Sequence, residues 1–481
     1  MQKAISRTLL ASASFAAILS TTPYATPGLA ADGIELIGFG ARQKAVAGAD
    51  VADSVDAMSM SINPAGIVGM ERQYQFGISA EMPVRGYEAS GPLVVLAPGD
   101  VQSGRPIFPV PNSANVSPID AESAWGTVSY GNGGINTSYG MGNFKPPIYA
   151  PAFPLPGVAS PLIGPSAGGP FGGGFAGIDY EQAFFSVVYA HKIGAVTLGL
   201  APTLAAQTLN IQGIKTLAPW SSDPYHLSDN GYDYSFGGGI RLGLLYEITK
   251  GLRFGAGGAT PMFMTQFGKY AGAIGQHGKL DVPADVTAGF AYDLLPELTI
   301  MVDWKHIFYS GVPAFGNPST PIGLGALGSF GGPGFGWRDT DSEAFGVEWR
   351  ATKQLTLRAG YRHSSAMIGS QDVTLNVLAP AITAHHATGG FKYELTKNSS
   401  IDFAAVYAFK NTLSGQENAP YAAFAYALPS PPYPVSSFPV VVPPHYGAGT
   451  NVTASLSGLE LSLSYTYKFD AGDNSWIPTH F

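Results

Sequence analysis

Residues 298–306 read Leu298-Thr299-Ile300-Met301-Val302-Asp303-Trp304-Lys305-His306 and form the clearest alternating segment of the sequence. Alternate side chains are apolar, whereas Thr299, Asp303 and Lys305 would point to the opposite face of an extended strand. The segment therefore predicts a β-strand with one apolar and one polar face. Similar alternation recurs at 355–362, 401–410 and 459–469. A soluble β-sandwich can show the same pattern, so alternation alone does not identify the fold class.

The connections between such segments identify the fold class. Fourteen strands are predicted, at 72–90, 107–117, 122–139, 180–191, 195–212, 230–248, 252–268, 280–293, 297–310, 337–350, 354–366, 381–394, 399–411 and 456–469. Short connections of three or four residues alternate along the chain with connections of eleven residues or more. Outer-membrane barrels have this arrangement, with short periplasmic turns and long external loops. We predict an all-β fold, a 14-stranded antiparallel transmembrane β-barrel with both termini on the periplasmic side.

The composition agrees with a barrel in the bacterial outer membrane. Charged residues make up only 12% of the chain and aromatic residues another 12%, whereas globular proteins have about 25% charged residues. No segment after the N-terminus is long and apolar enough for a transmembrane helix. Acidic residues outnumber basic ones by 33 to 25, which argues against nucleic acid as a partner.

The N-terminal 30 residues have the pattern of a secretory signal peptide. Lys3 and Arg7 precede the apolar run Thr8–Leu19, and Gly28-Leu29-Ala30 has the small residues of a cleavage site. The apolar run is too short to span a membrane. The predicted organisation is a signal peptide at 1–30, an N-terminal hatch at 31–70, the barrel at 71–470 and a C-terminal extension at 471–481.

Residues 31–70 differ from the barrel region because small residues precede a helical repeat. Val51, Val55, Met58 and Ile62 recur at helical spacing and predict about three helical turns. Pro64 is expected to end that helix, because proline pushes the preceding residue out of the α region. A compact plug with short helices follows from this pattern. An ordinary lead-in to a β protein is the alternative.

The third predicted strand contains Tyr130-Gly131-Asn132-Gly133-Gly134-Ile135-Asn136-Thr137. Glycine within a strand marks a bulge, a bend or a weak ladder. If pairing stops there, the barrel wall acquires an opening. A short hairpin outside the membrane is the alternative interpretation.

The sequence has no H-E-x-x-H motif and no P-loop. His385 and His386 are adjacent on a predicted strand, so their side chains point to opposite faces and cannot share a metal ion. We predict no catalytic residue, no metal site, no cofactor and no enzymatic activity.

Four arginines have the parity of the barrel lumen: Arg241, Arg350, Arg358 and Arg362. Three of them are candidate ligand contacts: Arg241, Arg358 and Arg362. They could meet a substrate carboxylate, or they could pair with lumenal acids such as Glu247 and Glu348. Pairing is favoured.

Segment 34–69, with Asn63-Pro64-Ala65-Gly66, resembles the hatch of the FadL/TodX-type outer-membrane transporters of long-chain fatty acids and aromatic hydrocarbons. Residues 130–137 are similar to the kinked third strand of that family. The resemblance implies that Asn63, Pro64, Ala65 and Gly66 belong to the hatch. It also implies a lateral gap at Gly131, Asn132, Gly133 and Gly134.

The resemblance further implies passive transport of hydrophobic small molecules, with lateral release into the membrane. The implied partners are the hydrophobic ligand, outer-membrane lipids, lipopolysaccharide and the barrel-assembly machinery, and a monomer is expected. The loops 213–229 and 269–279, which correspond to the family's docking groove, are short here, whereas 140–179 and 412–455 are long. Alternatives are a polar-solute porin, which needs an open lumen with charge rings, or an adhesin-type barrel presenting its Pro-rich loops.

Overall fold

The computed structural model describes residues 31–91, 93, 95–140, 168–319, 325–418 and 448–470. The predicted signal peptide, the C-terminal extension at 471–481 and most of the two Pro-rich loops lie outside the described residues.

A single closed barrel of fourteen antiparallel strands forms the wall, in which each strand pairs with the next and the last pairs with the first. The strands are Gln73–Ser90 (β1), Phe108–Pro118 (β2), Ser123–Asn136 (β3), Gly177–Ile193 (β4), Val196–Gln212 (β5), Asp233–Thr249 (β6), Leu252–Ala259 (β7), Asp285–Leu295 (β8), Leu298–Ile307 (β9), Thr340–Arg350 (β10), Leu355–Ser364 (β11), His385–Glu394 (β12), Ser399–Gly415 (β13) and Asn451–Lys468 (β14). The predicted 14-stranded barrel is confirmed.

Strand bounds shift by a few residues, and the largest change is at the end of β7. This strand ends at Ala259 instead of the predicted residue 268. Pro261 has no backbone N–H to donate to a ladder, and pairing with β6 resumes only at Phe263.

Shorter elements lie in the hatch and the loops. The short strands are Ala31–Asp32, Glu35–Leu36, Gly99–Gln102 and Phe263–Met264, and the α-helical turns are Ala41–Ala45 (α1), Gly275–Gly278 (α2), Pro313–Gly316 (α3) and Val373–Asn376 (α4). The described residues contain seven 3-10 helices: Ala57–Ser61, Pro64–Ile67, Lys215–Trp220, Pro224–His226, Gly268–Tyr270, Tyr309–Gly311 and Ser370–Asp372. None of the helices in the described part of the chain is both long and apolar enough to cross a membrane.

The wall strands carry apolar side chains outward and polar side chains inward. On β9, Val302 is 51% exposed, whereas the next side chain, Asp303, is only 2% exposed. The outward-facing side chains of the strands are apolar, as expected for a transmembrane barrel whose outer surface contacts lipid. The inward-facing polar side chains of the strands are buried because residues 31–70 fill the lumen.

The predicted three-turn helix over 51–62 is wrong. Residues 57–61 form a 3-10 helix, and Val55, which the helical stripe would have buried, is 43% exposed. Contacts with the polar lumen of the wall override the local pattern: Arg253 on β7 donates to Asp53, and Gln75 on β1 donates to Asp56. Pro64 does not end a helix; it begins the 3-10 helix Pro64–Ile67.

Candidate functional site

Buried ion pairs join the hatch to the wall. Arg42 in α1 lies 2.6 Å from Asp53 within the hatch and 3.2 Å from Glu348 on β10. Lys44 pairs with Glu460 on β14. Removing one partner of such a pair leaves an uncompensated buried charge, which costs about 3–5 kcal/mol. The hatch is therefore held in one position by specific charge contacts.

The three lumen arginines are all paired. Arg358 lies 2.9 Å from Glu348, as the sequence suggested, and 2.5 Å from Asp402. Arg241 on β6 pairs at 2.8 Å with Asp285 and not with Glu247. Asp285 lies on β8, on the other side of β7, and both side chains point into the lumen.

The third lumen arginine, Arg362, binds Asp32 at the start of the hatch, with its Nε 2.8 Å from Oδ2. Together with Arg241, it lines a small cavity of about 10 Å³ beside Glu35 and Lys305, which is room for about one water. A direct contact between these arginines and a ligand remains a prediction.

Asp32 provides a pH-dependent anchor for the hatch. Burial opposes its ionisation, but the Arg362 charge and hydrogen bonds from Arg362 and Ser364 outweigh burial and lower the pKa of Asp32 to about 2. A carboxyl whose pKa is depressed on folding stabilises the folded state above its unfolded pKa, and that stabilisation is lost as the pH falls toward the folded value. The contribution is therefore complete above about pH 4 and lost between about pH 4 and pH 2.

Asp32→Asn is expected to loosen the N-terminal segment by about 2 kcal/mol at neutral pH, from the pKa difference and the charge left on Arg362. Hydrogen exchange of the amides at 32–37 should become at least tenfold faster. Wild-type protein should show the same change, after correction for intrinsic rates, when the pH falls from 4 to 2. Asp120→Asn in an exposed turn is the control, and equal protection in both variants would refute the anchor.

The Asn63-Pro64-Ala65-Gly66 segment is seated against glycines of the wall. The Asn63 side chain donates to Val51 O at 2.7 Å and to Leu244 O of β6 at 3.0 Å, and it accepts from the Ala65 amide at 3.0 Å. A Cβ on Gly243 would lie 2.1 Å from Asn63 Oδ1, and one on Gly199 would lie 2.2 Å from the Ala65 nitrogen. Only glycine lets the turn approach the wall this closely.

The ladder between β2 and β3 stops partway along the wall. Its last pair is Asn112 with Tyr130, and residues 131–136 of β3 have no partner on β2. On the other side, β3 stays paired with β4 through a bulge between Gly131 and Gly133. The wall therefore has an interruption, which we call the window, bordered by residues 82–85 of β1, 104–107 and 131–136.

The N-terminal segment of the hatch lies across the window, where Glu35 bridges to Gly133. Position 133 requires glycine, because its φ is +144° and a Cβ there would lie 1.7 Å from Ile34 O. Tyr309 holds the same segment from the loop side, since the Ile34 amide donates to its hydroxyl at 3.1 Å. The hatch thus supplies the contact that β2 does not make.

An apolar cavity of about 40 Å³ lies under the loops. Its lining includes Ile214, Leu217 and Leu227 from 213–229 and Ile274 from 269–279. Although both loops are short, their side chains form much of the cavity lining. The lining belongs to one buried apolar cluster that extends to Ile34 and Ile135 at the window.

Sequence patterns alone did not reveal this cluster. Trp337 is one of its largest members; it stacks on Phe315 at 4.9 Å, and its indole nitrogen donates to Asn376 at 2.7 Å. The contributing loops have no regular period, so only a high content of apolar residues between strands could have indicated the cavity.

The adjacent histidines His385 and His386 point to opposite faces of β12, as their spacing predicts. His386 is buried in the lumen, whereas His385 is exposed and bonds to Tyr361. Asp341 contacts His306 at 2.8 Å on the barrel rim. Within the described ranges, no group of three or more His, Cys, Asp or Glu residues could hold a metal ion.

Comparisons with known proteins agree with this architecture. A family model described as "Outer membrane protein transport protein (OMPP1/FadL/TodX)" matches residues 225–469, just over half of the chain. The toluene transporter TodX of P. putida superposes with a TM-score of 0.59 at 15% identity, covering 91% of this chain and 100% of TodX.

Two further solved structures share the fold. The toluene transporter TbuX of Ralstonia pickettii has a TM-score of 0.56 at 18% identity, covering 90% of this chain and 99% of TbuX. A FadL homologue of Pseudomonas aeruginosa has a TM-score of 0.59 at 14% identity, covering 91% of this chain and 100% of the homologue. No curated protein sequence matches this chain.

Proposed function

Because this chain belongs to the OMPP1/FadL/TodX family of outer-membrane transport proteins, we propose that it carries hydrophobic small molecules passively across the outer membrane. Its cargo is a long-chain fatty acid or an aromatic or aliphatic hydrocarbon. TodX and TbuX, whose fold it shares, are described as toluene transporters.

The continuous apolar cluster between the loop cavity and the window is the observation that carries this proposal. Ile214 and Leu227 line the cavity, and Ile34 and Ile135 lie in the same cluster at the window. The free energy of an apolar solute falls when it leaves water for such surroundings. Transfer into the membrane then runs down a partitioning gradient and needs no energy source.

Lateral release at Gly131, Asn132, Gly133 and Gly134 is part of the proposal. The interrupted ladder beside β3 supports this route, and the Glu35–Gly133 bridge supports a gating role for the hatch. Asn63, Pro64, Ala65 and Gly66 would belong to the part of the hatch that is seated against the wall, with the Asn63 side chain as its anchor. Arg241, Arg358 and Arg362 serve first as ion-pair partners.

A polar-solute porin is disfavoured because the hatch occupies the lumen through buried ion pairs. We further propose that the protein acts as a monomer without enzymatic activity. It would be inserted by the barrel-assembly machinery and surrounded by outer-membrane lipids and lipopolysaccharide.

Uptake into cells that lack other hydrocarbon transporters tests the function. Expression should raise the initial uptake rates of toluene and laurate at least fivefold, and leave sucrose permeability within twofold of cells carrying an empty vector. Raised sucrose permeability without raised uptake of either hydrophobic compound would favour a porin and refute the proposal.

A further inference from the structure

Asp50 in the hatch is a buried acid whose carboxyl oxygens accept no hydrogen bond from the described part of the chain. The residue is 1% exposed, and neither Oδ1 nor Oδ2 has a hydrogen-bond partner. Arg42 Nη1 lies 3.6 Å from Oδ2, which is too long for a hydrogen bond. Burial disfavours the charged form of a carboxyl group unless donors or a matched cation compensate for the lost water.

The charge of Arg42 is already shared by two other acids. Its Nη2 atom donates to Asp53 Oδ2 at 2.6 Å, and its Nε atom donates to Glu348 Oε2 at 3.2 Å. Its Nη1 atom, the one closest to Asp50, donates to Asp53 O at 2.8 Å. Asp50 is therefore the acid around Arg42 that receives no hydrogen bond from it.

Acids outnumber arginines in the ion-pair network around Arg42. Among the described residues, five acids are linked within 4 Å to four arginines. The acids are Asp50, Asp53, Asp293, Glu348 and Asp402, and the arginines are Arg42, Arg253, Arg350 and Arg358. No set of side chains in the described ranges could hold a metal ion, so a proton is the ligand that can neutralise the remaining acid.

The surroundings of Asp50 offer it neither water nor a second cation. Its chain neighbours Ala49 and Val51 pack in a buried apolar cluster with Met301 of the wall. The charged group on the wall beside this segment is another acid, Asp303 on β9, which is 2% exposed and accepts from the Val51 amide at 2.8 Å. Two acids thus lie close together in an apolar environment, where like charges disfavour ionisation.

Burial raises the pKa of Asp50 well above its usual range, and Arg42 opposes this shift. The other charged groups that face Asp50 reinforce the effect of burial, and all of them are acids: Asp303 from the wall, and Asp56 and Asp53 within the hatch. Asp50 therefore favours the neutral, protonated form when the hatch is seated.

We infer that Asp50 is a proton-binding site and that the seated hatch keeps this proton at neutral pH. Loss of the proton would place an unmatched negative charge inside the barrel and favour unseating of residues 41–66. The inference goes beyond the proposed transport function and does not depend on it, because it concerns the closed hatch and names no cargo. Asp50 thus acts oppositely to Asp32, whose anchor is released when the pH falls.

The direction of the pH effect follows from the two states of the hatch. When the segment opens to water, Asp50 loses its proton above about pH 4, whereas the seated hatch retains it. Stability of the seated state is therefore greatest below about pH 4, and it falls as the pH rises toward the folded pKa. Each pH unit in that range shifts the ratio of seated to open hatch about tenfold toward the open state.

Hydrogen exchange of the amides at 49–53 in the purified, assembled protein tests this site. In wild type, protection corrected for intrinsic rates should fall at least tenfold between pH 6 and pH 8. Asp50→Asn keeps the shape of a protonated aspartic acid but cannot ionise, so its protection should change less than twofold over the same range. Asp120→Asn, in an exposed turn, is the matched control and should keep the wild-type pH dependence.

Infrared spectroscopy detects the proton directly. The carbonyl stretch of a protonated carboxylic acid is separate from the bands of a carboxylate, and it shifts in heavy water. At pH 7, Asp50→Asn should lose the band of a single protonated carboxylic acid relative to wild type, whereas Asp120→Asn should lose none.

Equal pH dependence in wild type and Asp50→Asn, or no loss of the carboxylic acid band, would overturn the inference. Because asparagine matches the neutral acid in size and charge, failure of Asp50→Asn to assemble would overturn it as well. The wild-type protein alone gives a second measurement, since protection at 49–53 that is constant between pH 6 and pH 8 would also contradict a retained proton. None of these outcomes affects the proposed transport function.

Discussion

Gly131→Val is expected to reduce transfer of a hydrophobic cargo into the membrane at least tenfold while the barrel still assembles. A Cβ at this position would lie 2.5 Å from Val110 Cγ1, so the valine side chain occupies the space between β2 and β3 where their ladder ends. Valine also favours strand conformation, whereas glycine weakens it. The measurement is the initial rate of cargo transfer into the outer membrane, with heat-modifiable gel mobility as the test of assembly.

Gly389→Val is the matched control for Gly131→Val. Gly389 lies on β12, and its Cβ would have only Arg358 O nearby, at 3.7 Å. It should transport like wild type. If Gly131→Val does so too, release does not occur through this window, and an axial path past the hatch becomes the better explanation.

Gly133→Val tests a different property from Gly131→Val. Its Cβ would overlap Ile34 O, and its φ of +144° disfavours any side chain. Valine there should displace the Glu35–Gly133 bridge of the hatch as well as fill the window. A double substitution would combine two opposing effects, so Gly131→Val alone is the informative variant.

Asn63→Ala is expected to release the hatch from its seat and to cut uptake of a hydrophobic cargo about fivefold or more. The substitution removes two buried hydrogen bonds and one partly buried one, and it takes the Asn63 donor away from Val51 O and Leu244 O. Each net hydrogen bond is worth about 1 kcal/mol, and each buried carbonyl left unpaired adds a penalty, so the loss is about 3 kcal/mol or more. Uptake and protease accessibility of residues 31–70 would both be measured.

Pro64→Ala is the control for Asn63→Ala. Pro64 stands at the first position of a 3-10 helix, where its missing N–H breaks no hydrogen bond and alanine is tolerated. We expect less than a twofold change. Equal effects of the two substitutions, or normal uptake in an assembled Asn63→Ala variant, would contradict an anchoring role for the Asn63 side chain.

Local patterns in the sequence were sufficient to predict the barrel. Alternation such as that of residues 298–306 reports which face of a strand meets lipid, and this property depends only on neighbouring residues. The alternation of short and long connections ordered the strands. The glycine-rich segment 130–137 indicated an irregular strand, because glycine lacks the side chain that stabilises a ladder.

The sequence by itself therefore determined the strands, their faces and the place where β3 becomes irregular. Only the tertiary structure decided that Arg241 pairs with Asp285, that 57–61 is a 3-10 helix and that Glu35 covers Gly133. These contacts join residues far apart in the chain, and they depend on which side chains barrel closure brings together in the lumen. The periodicity of the sequence does not predict these partners, because buried charges pair according to their distance in the folded state.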